Sequence, residues 1–297
     1  MRVRDDVQQA LKSGGAVVAL ESTLISHGRP YPGNLQIARA MEEAVRSAGA
    51  VPATIAVLNG VPVIGVEDAE IEYLARNRSV PTCSRRDLPI IVARGLDGAT
   101  TVSGTMILAH QSSIRVFATG GIGGVHRGHP FDVSADLEEL SRTPMVVVCS
   151  GAKALLDQEA TRERLETLGV AVVGYGTDEF PAFYSRDSGL PADTRVETPE
   201  EVVAIAKARD NLGLSGAVLV GVPVPEADQL ARQDAEHIIE QAVRLADQQG
   251  IRGQALTPFL LARIGEFSGG RSMRANGSLL VNNARVAALI ARAFSAP

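Results

Sequence analysis

Between residues 16 and 221, short runs of Val, Ile and Leu alternate with longer stretches that carry apolar residues at three- and four-residue spacing. A strand period and a helix period that keep exchanging along one chain suit a largely parallel sheet with helices on both faces. Strands are expected at residues 16–20, 54–58, 61–66, 115–119, 145–149, 170–174 and 217–221. Helices are expected at 34–48, 154–168, 200–211, 228–248 and 273–294. No internal repeat, low-complexity tract or long linker interrupts the pattern, so a single domain over residues 1–297 is expected. One irregular segment, 174–193, holds Phe180, Pro181, Phe183 and Tyr184. A loop of that length in a compact domain is usually functional or reaches a neighbouring subunit.

Composition narrows the function classes. A net charge of −5 argues against a dedicated nucleic-acid surface. No apolar run reaches the roughly 18 residues of a membrane span, and Met1-Arg2-Val3-Arg4-Asp5-Asp6 lacks the apolar core of a signal peptide, so a cytoplasmic location is expected. Cys83 and Cys149 have no metal-ligand spacing and fit one structural thiol in a strand and one in a loop.

Of 29 cationic side chains only Lys12, Lys153 and Lys207 are lysines. Arginine keeps its proton, whereas a neutral lysine amine can attack a carbonyl carbon, so a lysine kept at the end of a buried strand is a candidate nucleophile. Lys153 is so placed: Met145–Cys149 reads as the strand, Ser150-Gly151-Ala152 as a small-residue turn, and a helical pattern follows. The alternative is a solvated cation at a helix start. Lys12 ends a short helix before Ser13-Gly14-Gly15, and Lys207 sits on an amphipathic stretch.

Glu21 closes the first strand where an apolar run meets Ser22-Thr23, a setting for a general acid or, alternatively, a cap or ion-paired carboxylate. The run Thr119-Gly120-Gly121-Ile122-Gly123-Gly124-Val125-His126-Arg127 lacks the helix that a dinucleotide fingerprint requires. Its glycines either let backbone amides approach an anion or sugar, with Arg127 adding charge, or serve a tight turn. Asp132 and Asp136, with Ser134 between them, suit a hard, partly hydrated cation, or helix caps. Thr100-Thr101 before a helix can present donors to a phosphate. Arg85-Arg86-Asp87 and Asn282-Asn283 are further polar signals.

In this order the motifs resemble those of the pseudouridine-5'-phosphate glycosidase family, which includes the indigoidine synthase A-like proteins. The resemblance covers nearly the whole chain. It rests on Ala19-Leu20-Glu21-Ser22-Thr23, Ser26-His27-Gly28, Ser84-Arg85-Arg86-Asp87-Leu88-Pro89, Gly98-Ala99-Thr100-Thr101-Val102, residues 117–128, Gly151-Ala152-Lys153 and Thr257-Pro258-Phe259-Leu260. It implies a three-layer α/β/α fold, a homotrimer, a divalent metal (Mn²⁺, with Mg²⁺ as the alternative), and reversible cleavage of pseudouridine 5'-phosphate to uracil and ribose 5-phosphate. Carried over, Lys153 is the Schiff-base lysine, Glu21 the proton donor and Asp132 the metal ligand. Ser134, Ala135, Asp136 and Val102 contact substrate, as do Thr119, His126 and Arg127 of the glycine run. A carbon leaving group explains the lysine: an iminium at C1' is an electron sink that two carboxylates alone do not provide.

The chain departs from the family pattern in three places. Thr82 stands where a substrate-contacting lysine is usual, only His129-Pro130 separates Gly128 from Phe131, and Val222 replaces an asparagine. These are expected to reshape the acceptor end of the site, with Arg85, Arg86 or Arg127 compensating if uracil is the acceptor. Two other readings are a synthase joining ribose 5-phosphate to a different ring and a non-catalytic nucleotide-binding protein.

Overall fold

The computed structural model describes residues 1–251 and 256–295; the side chains of 256–258 lie outside the description as well. In chain order the strands are β1 (Arg2–Val3), β2 (Val17–Glu21), β3 (Val51–Leu58), β4 (Val61–Ile64), β5 (Thr82–Cys83), β6 (Gly98–Thr100), β7 (Val116–Ala118), β8 (Val125–His126), β9 (His129–Val133), β10 (Val146–Cys149), β11 (Leu156–Asp157), β12 (Ala171–Tyr175), β13 (Thr194–Val196) and β14 (Val218–Gly221). The main sheet runs β1-β4-β3-β2-β7-β10-β14-β12-β13, with β6 joined to β3 and β5 to β6. From β3 to β13 every neighbouring pair is parallel; β4 and β6 lie antiparallel to β3. The sheet is therefore mixed but mostly parallel, as the alternating pattern predicts.

Both faces are covered, which is why the strands read as almost unbroken apolar runs. Val18, Leu20, Val116, Ala118, Val146 and Val148 point into one core with the helices Gly33–Ser47, Pro199–Asn211, Arg232–Gln248 and Arg271–Ser295. Val17, Ala19, Phe117, Val147 and Cys149 point into the other, beneath Asp5–Lys12, Val102–Gln111, Ala135–Leu140 and Gln158–Thr167. The expected three layers are present in one domain.

Two expectations need correction. The helix expected from 154 begins at Gln158, because Asp157 caps it by accepting from the Ala160 amide at 2.9 Å. Ahead of it, Leu156 pairs with His126 in a small second sheet, β11-β8-β9. Lys153 is thus not a helix-start cation. Cys83, expected in a loop, lies in β5; both cysteines are buried and free. The segment 176–193 carries only isolated bridges, in keeping with the expected irregularity.

Candidate active site

Strand order turns in opposite directions on the two sides of β2, which has β3 on one flank and β7 on the other. Ligands of open α/β sheets gather at the carboxyl ends of strands beside such a reversal. Three adjacent parallel strands end here. Glu21 is the last residue of β2, Thr119 follows β7, and Lys153 lies four residues beyond β10. Register sets them level: Leu20 pairs with Ala118, which pairs with Val148. The Thr119 hydroxyl donates to Glu21 Oε1.

Between β10 and Lys153 the chain turns at Gly151, whose φ is +89° and whose missing side chain matters more still: a Cβ there would stand 1.8 Å from the Pro181 carbonyl oxygen. The Lys153 amide then donates to the Ile122 carbonyl at 3.0 Å, locking the lysine to the glycine run. From the long C-terminal helix, buried Asn283 donates to the Thr119 carbonyl at 2.9 Å and shares a hydrogen bond with the Ser150 hydroxyl. One amide thus braces the ends of β7 and β10. Burial raises the Glu21 carboxyl above its ordinary 4.5; the Lys153 charge and the Thr119 hydroxyl pull it back, and the Asp136 carboxylate adds to the rise.

Glu21, Thr119 and Lys153 open into a cavity of about 320 Å³. Thr82, Arg29 and the Phe183–Tyr184 pair share its walls with Leu24, Leu155 and Leu280. An acid whose pKa is raised by burial, sharing a mostly apolar chamber with a primary amine, can deliver a proton and form a covalent bond to carbon at one locus. A wider depression of about 620 Å³ lies between Arg4, Arg39, Glu42 and Asp68. Those ions already pair with Asp6, Asp68, Arg46 and Arg39 respectively, so it offers no comparable chemistry.

The remaining expected residues do not line this cavity. Val102 is buried at the start of its helix, and Ser134 caps Ala135–Leu140 by accepting from the Asp136 amide. Asp136 is buried and spends both oxygens on backbone: Oδ1 accepts from the Ser103 amide at 3.0 Å and Oδ2 from the Gly123 amide at 2.8 Å. Thr101 caps the helix it precedes, and the Thr100 hydroxyl donates to the Ile55 carbonyl. These two hydroxyls are therefore already engaged rather than free for a phosphate. The glycine run turns out to be packed against the chain itself: Cβ atoms at Gly121, Gly123 and Gly124 would lie 2.7, 2.2 and 2.4 Å from Phe183, Ser134 and Thr161.

His126, Arg127 and Asp132 belong to the β8–β9 hairpin, where Asp132 is exposed and the Arg127 Nε donates to the Leu156 carbonyl. Of the two carboxylates whose spacing suggests a cation site, Asp132 is exposed and Asp136 is buried with both oxygens accepting from backbone amides. Among the described residues no three His, Cys, Asp or Glu side chains converge to hold a metal. A single exposed carboxylate suits only a cation that keeps most of its water. Of the three departures from the family pattern, only Thr82 faces the cavity; Val222 packs in the core and His129-Pro130 is on the exposed hairpin. Arg85 is clamped to buried Glu139 through 2.7 and 2.8 Å contacts, and Arg86 points to solvent. None of the three expected compensating arginines lines the cavity.

The family model for indigoidine synthase A-like proteins matches residues 6–293. The chain belongs to that family. It is 53% identical over 289 residues to the pseudouridine-5'-phosphate glycosidase of Caldanaerobacter subterraneus subsp. tengcongensis, covering 97% of this chain and 94% of that one. To the protein of the same name from Solibacter usitatus it is 52% identical over 293 residues, covering 98% of each. Among solved structures, the prealnumycin C-glycosynthase AlnA in complex with ribulose 5-phosphate superposes with a TM-score of 0.92 at 40% identity, covering 99% of this chain and 96% of that chain. An indigoidine synthase A-like protein from Thermotoga maritima gives 0.90 at 37%, with the same coverage.

Sequence reasoning in this indigoidine synthase A-like chain missed Arg29, which reaches the cavity from the turn after His27-Gly28. A loop arginine carries no periodic signal. It also did not foresee the brace by Asn283, although Asn282-Asn283 is one of its polar signals.

Proposed function

We propose that this protein cleaves and re-forms the carbon–carbon glycosidic bond of pseudouridine 5'-phosphate, exchanging it with uracil and ribose 5-phosphate. The observation that carries the reading is the meeting of buried Glu21, its pKa raised by burial, with Lys153 in one cavity, in a chain about half identical to glycosidases of that name over nearly its full length. In the cleavage direction Glu21 protonates the ribose ring oxygen as the Lys153 amine bonds to C1', opening the ring. A proton then reaches C5 of the base, the C1'–C5 bond electrons stay with uracil, and the lysine nitrogen lone pair forms the iminium. Water adds to that iminium and releases ribose 5-phosphate, restoring the amine.

Thr119 and Asn283 hold this machinery: the first positions the carboxyl of Glu21, the second fixes the strand end from which Thr119 projects. On the family resemblance, Val102, Ser134, Ala135 and Asp136 are assigned to substrate contact, together with His126 and Arg127 of the hairpin, although none of them lines the cavity. Asp132 is assigned, on the family resemblance, to a largely hydrated Mn²⁺ or Mg²⁺, which when bound would neutralise phosphate charge. The enzyme is further proposed to act as a cytoplasmic homotrimer, on the family resemblance; among the described residues no helix is long and apolar enough to cross a membrane.

Incubation with ribose 5-phosphate and borohydride should add one sugar-phosphate mass to the Lys153 peptide, and purified enzyme should turn over pseudouridine 5'-phosphate. Lys153→Arg should abolish both while keeping the charge. Labelling at Lys12 or Lys207 instead would sink the assignment. The 40% identity to a C-glycosynthase supports a second reading, attachment of ribose 5-phosphate to a different ring. Slow cleavage of pseudouridine 5'-phosphate with intact Lys153 labelling would favour it.

A further inference from the structure

Arg29 stands out among the cations of the molecule. Together with Lys153 and His27 it lines the catalytic cavity, and the His27 ring is already hydrogen-bonded to the Val80 carbonyl at 2.7 Å. Among the described residues no carboxylate pairs with Arg29; its one protein acceptor there is the neutral Met273 carbonyl, reached through Nη2. Its Nε–H is buried with no hydrogen-bond partner among those residues. A guanidinium carries five N–H donors in a planar fork, and burying one without an acceptor is unfavourable by the full desolvation of that group.

The seat for this side chain is built. Gly277 lies inside the Arg271–Ser295 helix, where glycine is a poor choice by about 1 kcal/mol relative to alanine. A Cβ at Gly277 would come within 2.9 Å of Arg29 Nη2, so the missing side chain makes room for the guanidinium; Gly277 and Met273 line a neighbouring groove that Arg29 also borders, so the side chain stands between that groove and the catalytic cavity. The cavity wall on the side of the Arg271–Ser295 helix is mostly apolar. Phe183 and Tyr184 meet edge to face with ring centroids 5.0 Å apart, Leu280 is buried beside them, and Asn276 supplies an amide. Flat apolar surfaces with a few directed donors suit a planar ring bearing carbonyl oxygens better than a strongly hydrated phosphate dianion.

The geometry points to Arg29 as the specificity-determining residue at the acceptor end, donating to the carbonyl oxygens of the departing or incoming ring. It also supplies a cation to the cavity wall that Thr82 leaves neutral. This rests on the glycosidase reading above, since that reading makes the acceptor a carbonyl-bearing ring.

The test separates the two ends of the substrate. In the condensation direction, Arg29→Met should raise the KM for uracil roughly tenfold to a hundredfold, the worth of one charge-assisted hydrogen bond. The KM for ribose 5-phosphate should stay within about twofold, a change too small to represent a lost ion contact. Arg29→Lys should recover part of the loss, because it restores the charge without the fork. A matching rise in the ribose 5-phosphate KM would overturn the inference by placing Arg29 at the phosphate. No change in either KM would reduce Arg29 to a packing residue. Borohydride labelling of Lys153 by ribose 5-phosphate in the Met variant verifies an intact fold. Should the wild type fail to turn over pseudouridine 5'-phosphate, the glycosidase reading falls, and calorimetric binding of uracil to wild type and Arg29→Met decides the role of Arg29 separately: weaker binding by the variant upholds it, equal or absent binding overturns it.

Discussion

Removing the Asp136 side chain should damage stability and catalysis in two distinguishable ways. The carboxylate accepts from two backbone amides, Ser103 at 3.0 Å and Gly123 at 2.8 Å, and both residues are buried. It thereby ties the start of the Val102–Gln111 helix to the glycine run that leads to the hairpin. Asp136→Ala leaves two buried donors without acceptors at about 1–3 kcal/mol each, or about 2–6 kcal/mol together. That is a large part of the roughly 5–15 kcal/mol by which domains are stable. Asp136→Asn keeps one acceptor oxygen and should lose about half as much. Urea unfolding reads this as a lower midpoint at unchanged slope. The second effect is electrostatic. The Asp136 charge helps hold the Glu21 carboxyl above its ordinary value, so both variants should move the alkaline limb of kcat/KM to lower pH. A loss below about 0.5 kcal/mol in Asp136→Ala, the range of an ordinary surface substitution, would refute the buried-acceptor account. An unmoved alkaline limb in Asp136→Asn would refute the electrostatic one.

Two further outcomes are expected. Glu21→Gln should be inactive yet increasingly more stable than the wild type as pH rises. The folded state holds the Glu21 proton more tightly than the unfolded state, so below the ordinary 4.5 both states are protonated and the gap vanishes, and above it the wild type loses ground until the folded group also ionises. Thermal melts from pH 4 to 9 on the two proteins measure the gap, and a flat difference would count against a raised carboxyl. For the metal, chelation should lower activity, with recovery by Mn²⁺ or Mg²⁺ in the wild type but not in Asp132→Ala; full activity in chelator would remove the required cation.

The fold was legible because two-sided burial leaves a strong signal. The runs that became β2, β7, β10, β12 and β14 are apolar on both faces, and no other element type explains runs so short and so β-branched. What escaped were strands of two or three residues, β1, β5, β6, β8, β11 and β13, and the exposed five-residue β9, whose pairing is set by partners such as His126 against Leu156. The helix expected over 154–168 starts later in the structure for a related reason. Ala154-Leu155-Leu156 has helical apolar content, but the Asp157 cap and the pairing of Leu156 decide where the helix starts.

The site was legible only where chemistry is written in residue type at a strand end. Lys153 and Glu21 stood out because a rare lysine and a carboxylate closed apolar runs, and parallel register then brings them to one edge of the sheet. Residues whose role depends on what they touch gave no such signal. Asp136 read like a metal or substrate ligand, yet its two oxygens are held by the Ser103 and Gly123 amides. The glycines of residues 120–124 read like an anion cradle, yet Gly123 and Gly124 make room for Ser134 and Thr161. The compensating cation was sought in Arg85, Arg86 and Arg127 because they sit in recognisable motifs, and in the structure each is paired, exposed or on the hairpin. The arginine that does reach the cavity, Arg29, is marked by a glycine 248 positions away on another helix, a relation that exists only once the chain has folded. On the role proposed for Arg29, acceptor preference in this chain is better sought in the wall where the Arg271–Ser295 helix meets the Phe183–Tyr184 loop than in the motifs that carry the lysine and the acid.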